Sequence, residues 1–241
     1  MGITNIQSGT RVDEIADSIY RISTPAPAIP GGFTFNQYLI ADDAPLLFHS
    51  GLRNHFALTR EAVASVMAVD RLRYVAFSHV EADECGSLNQ WLAAAPQAVP
   101  LCGEIAAMTS VRDLADRQPR VMSDGDVIEL GACTVRWLDT PHLPHGWESG
   151  LMMENRTRTF LCGDLFSQPG SQLEPLTESD ILQPSESLRA KLDYFANGRN
   201  TAALLEKLAA AGPATLACMH GSAWRGDGAA LLRELSGILS R

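Results

Sequence analysis

At 241 residues, 46% apolar and 20% charged, the chain has the length for one domain with a substantial core and an ordinary globular composition. A net charge of −9 argues against nucleic acid or an anionic membrane surface as a main partner. No apolar run approaches the roughly 20 residues that cross a bilayer, and no basic-then-apolar leader opens the chain, so a cytoplasmic location is expected.

The first fifty residues read as strands. Ser18–Ile22 alternates, Pro25–Gly32 is a loop rich in proline and glycine, and Phe33–Ile40 alternates again. Ala41–Ala44 turns and Pro45–His49 continues the pattern. Residues 57–70 carry helical spacing through Leu58, Ala62, Val66 and Val69, ahead of a strand at 73–78. A helix to about Ala95, a short strand at Ala98–Cys102 and a helix from near Glu104 follow. In the second half, Asp124-Gly125-Asp126 turns before Val127–Leu130, and Gly131 breaks before Cys133–Leu138. Gly150–Glu154 and Thr159–Cys162 form a hairpin around Asn155–Arg158. Helices are expected at 187–197 and 200–211, a strand from Pro213 to Met219, and a closing helix over 228–240. Strands in both halves with interspersed helices predict two β-sheets packed together with helices outside, an α/β sandwich in a single domain, residues 1–241.

Five cysteines (85, 102, 133, 162 and 218) are odd in number and form no CxxC pair, which argues for reduced, mostly buried thiols. The stretch that concentrates chemistry is Ser78-His79-Val80-Glu81-Ala82-Asp83-Glu84-Cys85-Gly86, a strand-to-helix turn. His79, Glu81 and Asp83 alternate, and with Glu84 they put four potential metal ligands into six residues. Three more candidates follow later strands: the loop Thr140-Pro141-His142-Leu143-Pro144-His145-Gly146, the pair Gly163-Asp164, and His220-Gly221. Side chains held at strand ends by a rigid sheet are where a metal site reaches the needed precision. His55 reads as a surface or helix-start residue, and Trp147 as either a roof over the pocket or packing.

This set of residues resembles the metallo-β-lactamase superfamily, whose pattern opens with HxHxDH and closes with later His, Asp and His ligands. Glu81 stands where the usual second histidine would be, and the resulting HxExD resembles the diiron domain of flavodiiron proteins and the stand-alone oxygen-binding diiron proteins. Asn36-Gln37-Tyr38-Leu39-Ile40 resembles the family's NxYLI strand, and Phe160-Leu161-Cys162-Gly163-Asp164 its GD-containing strand. The spacing His145-x18-Asp164 fits, whereas His142 lies three residues too far. The resemblance spans about residues 14 to 225 and implies a four-layer αββα sandwich, two mixed β-sheets flanked by helices. It also implies one metal held by His79, Glu81 and His145, a second held by Asp83 and His220, and Asp164 bridging them. Glu84 replaces the family's histidine after the aspartate; it either ligates in its place, or turns away and leaves a coordination position open, or marks a weak second site. His49 sits where many relatives carry an aspartate that supports the metal loops, and His142 is either a supporting or pocket residue or part of the loop.

Three or four carboxylates beside three imidazoles suit iron, with manganese or zinc as alternatives. The expected function is a binuclear, non-haem diiron protein that binds or reduces O2 or a related small oxidant. Flavodiiron proteins feed the metals from a flavodoxin-like domain that binds FMN. This chain is expected to carry no such domain, so its electrons would come from a separate partner. The alternatives are a metal-dependent hydrolase of an ester, thioester or lactam, and a non-catalytic oxygen or metal sensor. The family resemblance also implies a homodimer.

Overall fold

Alternation along the central strands decides the layering. In β5 (Leu46–Phe48), all three side chains are buried, but Leu46 and Phe48 join one core cluster and Leu47 another. A strand buried on both faces reads as a continuous apolar run, and both faces then need a covering layer. The structure, a computed structural model, describes residues 2–196 and 198–240.

The first sheet has eight strands in sequence order: β1 (Gly2–Asn5), β2 (Thr10–Ala16), β3 (Ile19–Pro25), β4 (Thr34–Ile40), β5, β6 (Tyr74–Ala76), β7 (Val99–Gly103) and β8 (Arg120–Met122). Pairing is antiparallel through β5 and parallel from β5 to β8. Helices fill the parallel crossovers: α1 (Phe56–Ala64) before β6, then α2 (Ala82–Cys85) and α3 (Leu88–Ala94) before β7. The second sheet comprises β9 (Val127–Glu129), β10 (Thr134–Asp139), β11 (Gly150–Glu154), β12 (Thr159–Leu161), β13 (Leu176–Thr177), β14 (Thr215–Ala217) and β15 (Ala223–Arg225). Its order is β13-β15-β14-β12-β11-β10-β9, mixed because β12 runs parallel to β14 and β13 to β15. The helices Leu182–Leu192, Thr201–Ala210 and Gly228–Leu239 belong to this half.

Three core clusters fill the spaces between four layers. Leu47, Val75 and Trp91 pack the first sheet against its helices. Tyr38, Phe48, Trp137 and Met152 lie between the sheets. Leu151, Phe160, Leu205 and Leu232 pack the second sheet against its helices. The architecture is the expected αββα sandwich, two mixed sheets flanked by helices.

Several boundaries differ from the sequence expectation. The helix placed at 187–197 runs instead from Leu182 to Leu192. Its start is fixed by Asp180, whose Oδ1 accepts from the backbone N–H of Leu182 at 2.8 Å. Pro184 sits in the first turn, where a missing N–H costs nothing. The helix ends on Asp193 in the left-handed region, φ +50°. The helical spacing over 57–70 breaks after Ala64 and resumes as a separate single turn at Val69–Arg71. Strands β8, β13 and β15 are two or three residues long, too short for alternation to register. No helix among the described residues is long and apolar enough to cross a membrane.

Candidate metal centre

Four strand ends converge at one edge of the sandwich. His79 follows β6, His145 lies in the loop after β10, Asp164 follows β12 and His220 follows β14. The sheets are stitched together here: the Gly150 N–H donates to the Ser78 carbonyl at 2.8 Å and the Asn36 N–H to the Met219 carbonyl at 3.0 Å. Glu81 is extended (φ −131°, ψ 167°) and leads into α2, which carries Asp83 and Glu84. Gly86 closes the turn because a Cβ there would stand 2.2 Å from the Ala82 carbonyl oxygen.

The side chains meet in two adjoining sets. Around the first, His79 Nε2 and His145 Nε2 are 2.9 Å apart. His145 Nε2 lies 3.2 Å from Glu81 Oε1, and Asp164 Oδ2 is 3.6 Å from His79 Nε2 and 3.4 Å from His145 Nε2. Around the second, His220 Nε2 is 3.2 Å from Asp164 Oδ1 and 3.6 Å from Asp83 Oδ2. Asp164 therefore turns one oxygen to each set. Donors about 2.1 Å from a cation stand roughly 3.0–3.4 Å apart in octahedral or tetrahedral coordination, close to these spacings.

Hydrogen bonds fix which ring nitrogens face inward. His220 Nδ1 donates to the Thr34 carbonyl at 2.8 Å, so in the neutral ring the Nε2 lone pair faces the carboxylates. His79 Nδ1 lies 2.9 Å from Ser78 Oγ, which lies 3.0 Å from Nε2 of His49, whose Nδ1 meets Met219 Sδ at 2.9 Å. Burial holds His49 down at about 3, so it is neutral and accepts from Ser78. That chain leaves His79 Nε2 as an inward-facing acceptor. His49 thus supports the cluster through Ser78. Phe33 stacks on the His220 ring at 4.1 Å and holds its plane.

Electrostatics distinguishes the carboxylates. Burial pushes Asp164 up, but His220, His79 and His145 outweigh it and bring it down to about 2. With their rings protonated, His145 and then His79 hold Glu81 well below the usual carboxylate range. Glu84 goes the other way. It is fully buried, and that burial, with the charges of Asp164, Asp83 and Glu81, raises it far above its ordinary value. It is turned into the cluster, with Oε1 4.0 Å from His79 Nε2, and not away from it.

The donor set fits a pair of cations. Among the described residues, both oxygens of Glu84 and Asp164 Oδ1 are buried with no hydrogen-bond partner while His220 is neutral. Buried polar atoms without partners are rare, because each costs about 1–3 kcal/mol. With the imidazoles neutral, acceptor faces acceptor here, an arrangement that a metal ion resolves. His79, Glu81, His145 and Asp164 lie within reach of one ion, and Glu81, Asp83 and Glu84 form an overlapping group.

The remaining candidates lie elsewhere. His142 is exposed, with its backbone in the left-handed region (φ +66°), beside Ala196, Gly198 and Arg199. Trp147 is 56% exposed, and neither it nor His142 lines the cleft over the cluster. His55 precedes α1 as expected, its ring edge-on to Phe35. All five cysteines are buried and free. The cleft over the cluster holds about 170 Å³ and adds residues that the sequence did not single out: Phe33, Leu188, Leu192 and Tyr194. Tyr194 stands edge-on to His145 at 5.9 Å. Phe33 and Phe35, two apart on one strand face, were the available sequence signal for the aromatic wall.

Comparison with known proteins bears on the family and the fold. A family model described as ODP family beta lactamase matches residues 33–221. The chain belongs to that family. Two relatives of this ODP-family chain are the rubredoxin-oxygen oxidoreductase of Megalodesulfovibrio gigas and the coenzyme F420H2 oxidase of Methanothermobacter marburgensis. The first is 26% identical over 206 residues, 82% of this chain and 50% of the relative. The second is 26% identical over 144 residues, 57% and 35%. The chain thus spans half or less of the length of these relatives. Among solved structures, the flavodiiron core of Flv1 from Synechocystis is similar with a TM-score of 0.78 at 22% identity, over 95% of this chain and 60% of that one. The rubredoxin oxygen:oxidoreductase of Desulfovibrio gigas gives 0.79 at 21%, over 94% and 61%. At such identities these structures speak for the fold.

Proposed function

We propose that the cluster holds two iron ions and that the protein binds or reduces O2 or a related small oxidant, taking electrons from a separate carrier. The supporting observation is Asp164, one carboxylate facing His79 and His145 through Oδ2 and His220 through Oδ1. In this reading His79, Glu81 and His145 would hold one ion and Asp83 and His220 the other, with Asp164 shared between the two sets and Glu84 completing the second in place of a histidine. Iron would supply the electron transfer to the oxidant.

The chain's own residues supply the rest. Four carboxylates balance the charge of two divalent ions, and their oxygen-rich mixture with three imidazoles suits iron better than zinc. Ser78, His49 and Thr34 hold ligand tautomers without any need to move. Phe33, Leu188, Leu192 and Tyr194 line the cleft and limit water. Its volume, about 170 Å³, is below the 300–1,000 Å³ typical of organic ligand sites, which favours a diatomic oxidant over an ester or thioester. The relatives' names, an oxidoreductase joining rubredoxin to oxygen and an F420H2 oxidase, support a small reduced carrier as donor. A homodimer belongs to the same proposal.

The test is metal analysis of protein purified without added metal, followed by exposure of the reduced protein to oxygen. About two irons per chain, an absorbance change on oxygenation and oxygen uptake with a reduced carrier are expected. Two zincs per chain with turnover of ester or thioester substrates would overturn the reading.

A further inference from the structure

A second cleft, of about 480 Å³, opens between the inner face of β2–β3 and the segment 171–174, away from the ligand cluster. Its floor is Arg21, which is 1% exposed. One guanidinium nitrogen, Nη2, donates to the Gly221 carbonyl at 2.6 Å. Nε and Nη1 are buried without a partner among the described residues. No carboxylate among the described residues lies within ion-pair distance of Arg21. Asp13, the carboxylate whose charge acts on Arg21, is engaged at 2.5 and 2.8 Å by Arg11.

An arginine retains its charge when buried, and an uncompensated buried charge costs several kcal/mol. Buried charges are therefore paired, and the partner that the chain omits has to come from the cleft. The walls match an oxyanion. Ser23, Thr34 and Ser171 are polar, Ile3, Pro25 and Leu173 make an apolar rim, and the one carboxylate in the lining outside the Arg11–Asp13 pair, Glu174, is accompanied by Arg11. Ile3 is 63% exposed without an occupant. The seat also lies close to the fold's catalytic edge, because Gly221 directly follows His220.

We propose that this cleft is a binding site for a small organic anion, whose carboxylate or phosphate group seats on the Arg21 guanidinium and whose apolar tail lies along Ile3, Pro25 and Leu173. Of the simple probes, hexanoate binds more tightly than acetate, because only hexanoate covers the rim.

The test is thermal melting of the full chain titrated with sodium hexanoate, acetate or phosphate against chloride at matched ionic strength. A saturable rise of about 3–6 °C at ten times the dissociation constant is expected. Arg21→Met, close in size and uncharged, should abolish the rise. Ser171→Trp, which leaves Arg21 in place and fills the mouth, should weaken binding at least tenfold, and it carries the test should Arg21→Met fail to fold. A response no larger than that to chloride would overturn the proposal. So would a rise that persists unchanged in the variants, since the anion would then be binding elsewhere, the ligand cluster included.

Discussion

Two carboxylate-rich regions of the molecule have opposite fates. Asp42, in the turn between β4 and β5, accepts backbone N–H bonds from Asp43 at 2.8 Å, Ala132 at 3.0 Å and Cys133 at 2.9 Å. Every lone-pair direction that matters there meets a donor, and the result is a clasp between the two sheets. In the ligand cluster, buried Glu84 and Asp164 face each other, the partly exposed Glu81 and Asp83, and the imidazoles, and among the described residues no N–H bonds Glu84. A carboxylate answered by amides is structural. Carboxylates left to face one another while buried mark a place for cations.

Removing the metal breaks this contrast most severely. A metal bound with free concentration about a thousandfold above its dissociation constant contributes roughly 4 kcal/mol. Chelation should then lower the melting temperature by about 8–16 °C in a chain of this size. Asp164→Asn should lose both ions together, since one carboxylate serves both sets. An unchanged melt after chelation would mean that the cluster is stable empty.

Glu84 offers the sharper version, because its two effects have opposite signs. In metal-free protein its burial among Asp164, Asp83 and Glu81 is a liability, so Glu84→Gln should stabilise the fold by about 1–3 kcal/mol and raise the melting temperature. In metal-loaded protein the same change should weaken the second equivalent at least tenfold. A variant that is less stable in both states would show that Glu84 is structural.

Much of this was legible in the chain, and the reasons differ by feature. The sandwich follows from alternation: Leu46, Leu47 and Phe48 already require a layer on each face of β5. The cluster follows from His, Asp and Glu placed after four strands. The direction of Glu84 was not legible, because a helical turn can present position 84 inward or outward and only packing decides. The spacing to Asp164 already favours His145 over His142, and His142 is exposed, with its backbone in the left-handed region. Tyr194 reaches the cleft from just beyond Asp193, whose left-handed backbone (φ +50°) ends the helix, and the 187–197 helical spacing gives no sign of that stop.

A middle-sized effect is expected at Ser78. Its hydroxyl joins the His79 and His49 rings, and loss of such a support usually costs 10–100-fold in metal affinity. Ser78→Ala should show this in a competition titration against a chelator, with the metal-free melt almost unchanged. Affinity equal to wild type would mean that packing alone orients His79.

The smallest effect tests the satisfied side of the comparison. Partial burial pushes Asp42 up, but the bonds to Ala132, Cys133 and Asp43 outweigh it and bring it to about 2, below its ordinary 3.8. A carboxyl depressed on folding contributes stability above its unfolded value and loses it as pH falls through the folded one. Asp42→Asn should therefore cost about 1 kcal/mol at neutral pH, a fall of roughly 2–4 °C. The gap from wild type should hold down to about pH 4 and close toward pH 2, where both side chains are uncharged. It should also be the same with and without metal, because no donor to Asp42 lies in the cluster. A gap that depended on metal would join the clasp to the cluster energetically and end the distinction between them.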